Sequence, residues 1–345
     1  MKYYTKVFWG IVITIFFGMG QSIAQVSNTQ IKGFVDVITS YQKNKSAFTL
    51  GEQDLFITSD LSDRLSFLGE SVFKYSASSP TLFDVSIERI VLKYNYAGNH
   101  NILFGKHHTP INYWNDTYHH GRVFFPTIYR PLMFSTGIIP LHSTGLSMQG
   151  LNLGKYRFGY DIMVGNGLGS TDVSDNNIFK SLTAAFHFKP IDGLRIGASY
   201  YRDIISSNAL STHQNHGGPV NSLSRTLRQE LLSGSISYFK NKWEFLTEAS
   251  MAFNRTDSTG TAQTSVAYAY AGYRIKDKFI PYVRCDWSEY GKNEIYFKKD
   301  NTKSYLVGLR YQINYLAVIK FEYEHVSSKF AGIVDNYTAQ FAIGF

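Results

Sequence analysis

The densest group of residues able to do chemistry lies between Lys106 and Thr144. This segment holds five of the ten histidines of the 345-residue chain: His107, His108, His119, His120 and His142. Arg122 and Arg130 add fixed positive charge, and Asp116 is the only acidic residue of the segment. Arginine can bind phosphate or carboxylate through two parallel hydrogen bonds. The composition therefore indicates a surface that binds or selects anions.

The paired histidines permit two further interpretations. Histidine is a common ligand of zinc, copper and nickel, and it titrates near neutral pH, so the segment could hold a metal or respond to pH. Adjacent residues of an extended segment point in opposite directions, however, which prevents one pair from chelating with both rings. Ordinary loop histidines, bonded to backbone or water, are the simpler interpretation. We therefore predict no metal site and no cofactor.

Motifs of hydrolytic catalysis are weak in this sequence. A nucleophilic serine needs a base nearby that a third group orients, and the adjacent residues His142 and Ser143 do not supply that geometry by themselves. No G-x-S-x-G motif is present. An Asp–His or aspartyl site assembled from distant segments would leave no local motif, so a hydrolase stays open as an alternative. The expectation is that the protein is not an enzyme.

The elements that must position these residues are β-strands, because the side chains after residue 25 alternate with a period of two. In the terminal stretch Tyr337–Phe345, Phe345, Ile343 and Phe341 alternate with small or polar residues. Apolar faces are rich in Tyr and Phe, whereas the opposite faces carry full charges. These include Arg157, Arg195, Arg284 and Arg310. A closed barrel with lipid outside and water inside accounts for both features.

The alternation predicts sixteen strands of about ten residues, the length that crosses a bilayer when tilted. They begin near Ile31, Phe48, Arg64, Leu82, Asn101, Gly145, Lys155, Phe179, Leu194, Thr226, Lys242, Gln263, Phe279, Lys303, Leu316 and Asn336. Short connections alternate with longer ones, as in barrels that span an outer membrane. The apolar face changes side between Ile87 and Ile90, which predicts a β-bulge near Arg89.

Residues 1–24 have the pattern of a secretory signal peptide. Lys2 and Lys6 precede the apolar run Val7–Met19, and the small residues of Ser22–Ala24 follow it. Cleavage after Ala24 leaves residues 25–345, which we expect to form a single domain. No later apolar run reaches the roughly 20 residues of a membrane-spanning helix. The predicted location is therefore the outer membrane, reached by export.

Composition excludes several other classes of protein. The chain has one cysteine, so it contains no internal disulfide framework. Aromatic residues make up 16% of the chain, which excludes a disordered protein. The formal net charge is +8, but the cations are spread along the strands without a contiguous basic patch. We therefore expect no nucleic-acid partner.

The chain resembles Gram-negative outer-membrane porins of the 16-stranded β-barrel superfamily. The signal peptide, the alternating strands and the terminal strand Tyr337–Phe345, which ends in an aromatic residue, carry the resemblance. The resemblance implies an all-β transmembrane antiparallel barrel and recognition of Tyr337–Phe345 by the barrel assembly machinery. It also implies a homotrimer and contact with outer-membrane lipid and lipopolysaccharide.

In the resembled porins, the third long loop folds inward and sets the pore width, and Lys106–Thr144 matches that loop in position and length. The resemblance therefore implies that the loop residues constrict the pore. The expected selectivity residues are Arg122, Arg130, His107, His108, His119, His120 and Asp116 on the loop, with Arg157, Arg195 and Arg310 on the wall. In the opposing interpretation, the loop arginines pair with wall acids and lose their selecting role. The candidate acids are Glu70, Glu244, Glu248 and Glu322.

The sequence thus predicts an outer-membrane porin through which small hydrophilic solutes and ions diffuse passively. A channel that prefers anions or phosphate is the alternative within transport. Alternatives of another class are an outer-membrane barrel hydrolase and a non-conducting binding barrel, in which the loop plugs the lumen.

Overall fold

The sixteen antiparallel strands of the chain form one closed barrel. The structure is a computed structural model, and it describes residues 28–118, 121–207, 209 and 220–345. Each strand pairs with its neighbours in sequence, and β1 pairs with β16 to close the barrel. The strands are β1 (Asn28–Gln42), β2 (Lys45–Asp60), β3 (Leu65–Tyr75), β4 (Phe83–Ala97), β5 (His100–His108), β6 (His142–Leu153), β7 (Phe158–Gly165), β8 (Ser181–Phe188), β9 (Leu194–Ile205), β10 (Leu227–Lys240), β11 (Trp243–Thr256), β12 (Gly260–Tyr273), β13 (Phe279–Tyr290), β14 (Thr302–Asn314), β15 (Ala317–Ser328) and β16 (Gly332–Gly344). The predicted all-β, sixteen-stranded barrel is confirmed. The predicted signal peptide lies outside the described residues.

The two faces of the strands carry opposite kinds of side chain. In β13 the exposed side chains of Val283, Cys285 and Trp287 alternate with buried polar ones, namely Arg284, Asp286 and Ser288. A soluble protein would bury the apolar set and expose the polar set. The inverted arrangement suits a barrel with lipid outside and a polar interior.

The predicted bulge in β4 is confirmed. Glu70 of β3 pairs with Arg89, but the next residue, Ser71, pairs with Ile87, so Glu88 is the extra residue. The insertion explains why the apolar face of this strand changes side at this point. Glu88 is completely buried, and Arg89 is ion-paired with Glu70.

The connections differ between the two ends of the barrel. At one end, here the short-turn end, they span residues 61–64, 98–99, 154–157, 189–193, 241–242, 274–278 and 315–316. At the other end, the long-loop end, they include residues 109–141, which we call loop 109–141. This loop contains a short helix, α1 (Tyr113–Thr117), and a 3₁₀ helix (Leu132–Phe134). Within the described residues, no helix is long and apolar enough to cross a membrane.

A hydrophobic core lies between loop 109–141 and one side of the barrel. The loop contributes Ile111, Trp114, Phe125, Met133, Phe134, Ile138, Ile139 and Leu141. The barrel contributes residues of β9 to β14, among them Tyr201, Leu231, Leu246, Val266, Tyr268, Tyr270, Tyr282, Tyr290 and Leu306. This packing explains why both faces of β12 are apolar or small, since one face meets the exterior and the other meets the loop.

Candidate functional site

Two carboxylates of the barrel wall bind the backbone of loop 109–141. Glu248 of β11 accepts hydrogen bonds from the N–H groups of Tyr113 and Trp114, the latter at 3.2 Å. Glu322 of β15 accepts one from the N–H of Ile128 at 2.7 Å. Hydrogen bonds to charged groups contribute about 1.5–3 kcal/mol each. These acids therefore anchor the loop through its backbone, and not through its arginines as the opposing interpretation of the sequence held.

Wall cations bind the carbonyl groups of the same loop. Lys320, which is completely buried, donates to the carbonyl oxygens of Arg122 at 2.6 Å and Thr127 at 3.1 Å. Arg284 donates to the Thr127 hydroxyl at 2.7 Å and to the carbonyl oxygen of Tyr129 at 2.9 Å. Both ends of the loop's peptide dipoles are thus held by wall charges of the appropriate sign.

Arg122 is the loop residue most closely surrounded by wall acids. Its guanidinium lies 3.3 Å from the carboxylate of Asp36 on β1 and 2.8 Å from that of Glu52 on β2. Burial alone would lower the pKa of Arg122, but the carboxylates of Glu52 and Asp36 outweigh it and raise that pKa. The pairing follows the opposing interpretation of the sequence, with acids other than the four named there. The positive charge of Arg122 is therefore largely neutralised.

Arg130 is half-buried in the same region. Burial lowers the pKa of Arg130, and the nearby carboxylate of Glu52 offsets this only in part. Arg122 and Arg130 line a cavity of about 600 Å³ that extends toward the long-loop end, together with Arg284, Glu52 and Glu324. The predicted loop charges therefore reach a cavity, but two carboxylates share it with them.

The histidines at the base of the loop form a cross-strand pair. His108 ends β5 and lies opposite His142, which begins β6, with 5.1 Å between the ring centroids. Nε2 of His142 lies 3.4 Å from a carboxylate oxygen of Glu88 at the bulge. The predicted residues His119 and His120 lie outside the described residues. No cluster of three or more His, Cys, Asp or Glu suited to a metal occurs among the residues that are described.

His107 makes a contact of the kind a hydrolase uses. Its Nε2 lies 2.5 Å from the hydroxyl of Ser147, and its Nδ1 lies 3.1 Å from the carbonyl oxygen of Gly105. A backbone carbonyl therefore occupies the place of the orienting carboxylate. Ser147 is completely buried. The pair, as it stands, gives a substrate no access to the hydroxyl.

Asp116 and Arg195 form an ion pair between loop and wall. Nη2 of Arg195, on β9, lies 2.7 Å from the Asp116 carboxylate and 3.1 Å from Nδ1 of His187 on β8. The guanidinium also lies over the ring of Tyr113, 5.1 Å from its centroid. The structure thus brings the predicted loop acid and one predicted wall arginine together, at a cavity toward the short-turn end.

The other two predicted wall arginines are placed differently. Arg310 is buried, bonds both carboxylate oxygens of Glu244 at 2.7 and 2.8 Å and donates to the carbonyl of Pro126. It is covered by the loop. Arg157 does not lie on the wall, which corrects our expectation, because β7 begins only at Phe158. Arg157 has a positive φ of 45° in the turn 154–157 and pairs with exposed Asp192.

Sequence reasoning missed several residues that hold the loop, among them Asp36, Glu52 and Lys320. The alternation did place Lys320 and Glu322 on the polar face of one strand, so the available signal was charge on an inward face. That signal identified side chains that point inward. It could not show which loop atoms those side chains contact, because the contacts depend on the path of the loop.

Comparison with known proteins establishes the fold at low sequence identity. No protein-family model matches the chain, and no curated protein matches it significantly. Among solved structures, OmpF of Salmonella typhi in complex with daunomycin gives a TM-score of 0.66 at 13% identity, covering 92% of this chain and 97% of that one. The anion-selective porin from Comamonas acidovorans gives 0.65 at 11% identity, covering 92% and 100%. The trimer form of in-vitro folded OmpT, an outer-membrane protein of Vibrio cholerae, gives 0.62 at 11% identity, covering 93% and 100%.

These similarities confirm the predicted resemblance to 16-stranded outer-membrane porins at the level of the fold. Because all three identities are far below 25%, they leave the solute and the assembly of this chain to be argued from its own residues.

Proposed function

We propose that the protein is an outer-membrane porin through which small hydrophilic solutes and ions diffuse passively. The carrying observation is the closed sixteen-stranded barrel, whose exterior is apolar and whose interior is polar, with cavities on both sides of loop 109–141. The shared fold with OmpF and with an anion-selective porin supports this proposal. No chemical step is needed for such a function.

We infer further that loop 109–141 lies in the lumen and narrows it. The loop contacts inward-facing side chains on strands from opposite parts of the barrel, such as Glu248 on β11 and Glu52 on β2. Its hydrophobic core fills the side formed by β9 to β14. The space that the loop leaves open is lined by β2 to β10 toward the short turns, and by β2 and β13 to β15 toward the long loops. The proposed path for solutes joins these two regions.

The charges along this path favour weak ion selectivity. Arg122 and Asp116, which the sequence singled out, are each paired with wall residues of opposite sign. The observation that favours the alternative, an anion-preferring channel, is the convergence of Arg122, Arg130 and Arg284 on one cavity. The electric field of charged groups is stronger in a narrow pore of low dielectric constant, so a small excess of positive charge there would suffice to favour anions.

Export, assembly and oligomerisation complete the proposal. The proposed signal peptide is residues 1–24, and the proposed assembly signal is Tyr337–Phe345, most of which lies in β16. The trimer form of one structural neighbour supports a homotrimer. The apolar outer face provides the contact with outer-membrane lipid and lipopolysaccharide.

Conductance of the refolded protein in a planar bilayer under a KCl gradient tests the proposal. Stepwise ohmic increases in current are expected, and the sign of the reversal potential decides between anion and cation preference. A folded, heat-modifiable barrel that never conducts would contradict the porin and favour a binding barrel plugged by loop 109–141. Hydrolysis of a peptide or ester library by the same preparation would favour the hydrolase, with His107 and Ser147 the first pair to substitute.

A further inference from the structure

Positive charge is concentrated on one half of the short-turn end. The residues concerned, which we call the basic rim, are the four neighbouring connections 154–157, 189–193, 241–242 and 274–278, together with Lys240 at the end of β10. They include eight lysine or arginine side chains and only two carboxylates. The other three short connections hold one cation and one carboxylate between them. The excess of positive charge therefore lies over β6 to β13.

Backbone hydrogen bonds join these connections into one continuous surface. The N–H of Lys189 donates to the carbonyl oxygen of Tyr156 at 2.8 Å, and the N–H of Arg274 donates to that of Lys242 at 2.7 Å. The turn 189–193 meets the end of β10 in the same way. Our expectation that the chain has no contiguous basic patch is thereby corrected at this end, because closure of the barrel brings together turns that lie far apart in the sequence.

The two carboxylates of the basic rim neutralise only part of its charge. Asp192 lies 2.7 Å from Nη2 of Arg157 and 3.6 Å from Nζ of Lys240, so two cations share one acid. Burial lowers the pKa of Lys189, and the positive charges of Arg195 and Arg157 lower that pKa further. Four exposed lysines of the rim form no ion pair within the described part of the chain, namely Lys155, Lys242, Lys276 and Lys278. An anionic group at this surface would relieve the repulsion.

Aromatic side chains place the basic rim at the height of lipid headgroups. Lys240 and Trp243 are cross-strand partners at the ends of β10 and β11, and the side chain of Trp243 is 49% exposed on the outer face. Tyr238 and Phe245 form the next outward-facing pair toward the middle of these strands. Aromatic girdles of this kind mark the interface between membrane and water. The long side chain of Lys240 therefore extends from the lipid face into the headgroup layer.

From this charge and its position we propose that the basic rim binds the headgroups of anionic phospholipids in the leaflet next to the short turns. The phosphate oxygens of a headgroup would accept hydrogen bonds from the lysine ammonium groups, while the acyl chains lie along the apolar exterior of β10 and β11. A soluble acidic protein would match the charge but would not reach the lipid face, on which Lys240 lies. The proposal deepens the lipid contact proposed above and rests on the membrane location of the barrel, not on conduction.

Quenching of tryptophan fluorescence by brominated lipids tests this inference. The Trp287→Phe variant of residues 25–345 is placed in phosphatidylcholine vesicles with increasing fractions of brominated phosphatidylglycerol or brominated phosphatidylcholine. Trp243 then reports on the lipid at the rim, since Trp114 is completely buried in the interior. We expect phosphatidylglycerol to be preferred about fivefold at low salt, the effect of about one net cation beside an anionic headgroup. High salt should remove the preference by screening.

A pair of exposed lysines at each end of the barrel supplies the test variant and its matched control. Lys240→Gln with Lys242→Gln, made in the same background, is expected to bring the preference at Trp243 close to onefold. Lys298→Gln with Lys299→Gln removes the same charge from a long-loop connection and should leave the preference unchanged. Heat-modifiability in gels confirms that each variant is folded, and the salt dependence of the starting barrel tests the inference without any lysine substitution.

The other outcomes each contradict a different part of the inference. Equal quenching by the two brominated lipids overturns the lipid site and leaves the charge to a soluble acidic partner. A preference that persists in Lys240→Gln with Lys242→Gln overturns the role of the rim. Displacement of phosphatidylglycerol by inorganic phosphate at constant ionic strength overturns the lipid in favour of a soluble anion. A barrel that shows the preference but never conducts contradicts only the proposed porin, because the quenching needs no current.

Discussion

At the scale of single residues, Arg122 both holds the loop in position and contributes positive charge to the interior. Its guanidinium lies between the carboxylates of Asp36 and Glu52, which keeps it protonated and ties the loop to β1 and β2. Removing one partner from a buried pair leaves an uncompensated charge, which is commonly destabilising. Replacing Arg122 therefore removes the guanidinium that pairs with both Asp36 and Glu52.

The double substitution Arg122→Ala with Arg130→Ala is expected to shift ion preference toward cations. It removes a guanidinium that pairs with both Asp36 and Glu52, so the local potential becomes more negative, although Glu52 also lies 3.6 Å from Lys74. The reversal potential under a KCl gradient measures this shift. Arg157→Ala is the control with an unchanged reversal potential, because Arg157 lies in an exposed turn. An unchanged reversal potential in the double variant would remove these arginines from the selectivity mechanism.

At the scale of elements, the strands were predictable and the packing of the loop was not. All sixteen predicted strand starts lie within four residues of the observed ones, because the period of two is set locally by the pleat. The bulge at Glu88 was visible for the same reason. The contacts of loop 109–141 depend on distant strands. Val266, Tyr268 and Tyr270 pack against the loop, and nothing in their local sequence indicated that contact.

Trp114→Ala should show that this core stabilises the barrel. Trp114 is completely buried between loop and wall, in ring contact with Phe125 and Tyr268. Truncating a buried aromatic side chain costs about 3–5 kcal/mol. Urea unfolding in phospholipid vesicles measures the loss in the free energy of unfolding. Phe124→Ala is the control on the same loop, since Phe124 is 47% exposed, and a loss as large as that of Trp114→Ala would contradict the core.

At the scale of the whole molecule, the barrel keeps two environments apart across one layer of backbone. Exposed apolar residues cover the exterior, among them Val283 and Val307, which pair across β13 and β14. The interior is divided again, into the apolar core against β9 to β14 and the cavities with partly polar linings that the loop leaves open. Sequence periodicity predicted the first division, since it repeats in every strand, but not the second, which one loop creates.

A charge placed on the exterior should be costly only at mid-depth. Val307 is the sixth residue of the 13-residue strand β14, whereas Ile333 lies near the long-loop end of β16. Arginine on the lipid face costs about 2–4 kcal/mol at the bilayer midplane and about 0–1 kcal/mol near the interface. Val307→Arg should therefore lower the free energy of unfolding in vesicles much more than Ile333→Arg does. Equal losses would contradict this placement of the bilayer.

The anchoring of loop 109–141 also has an electrical consequence. A membrane potential does work of about 2.3 kcal/mol per elementary charge moved through 100 mV, so only a segment that carries charge across the field can act as a voltage sensor. Arg122 and Asp116 are held by wall partners of opposite sign. Moving the loop would break those pairs and separate the loop from the hydrophobic core that it forms with the barrel. In a conducting barrel this loop would stay in place as the voltage changes, and any closure at high potential would have to begin elsewhere.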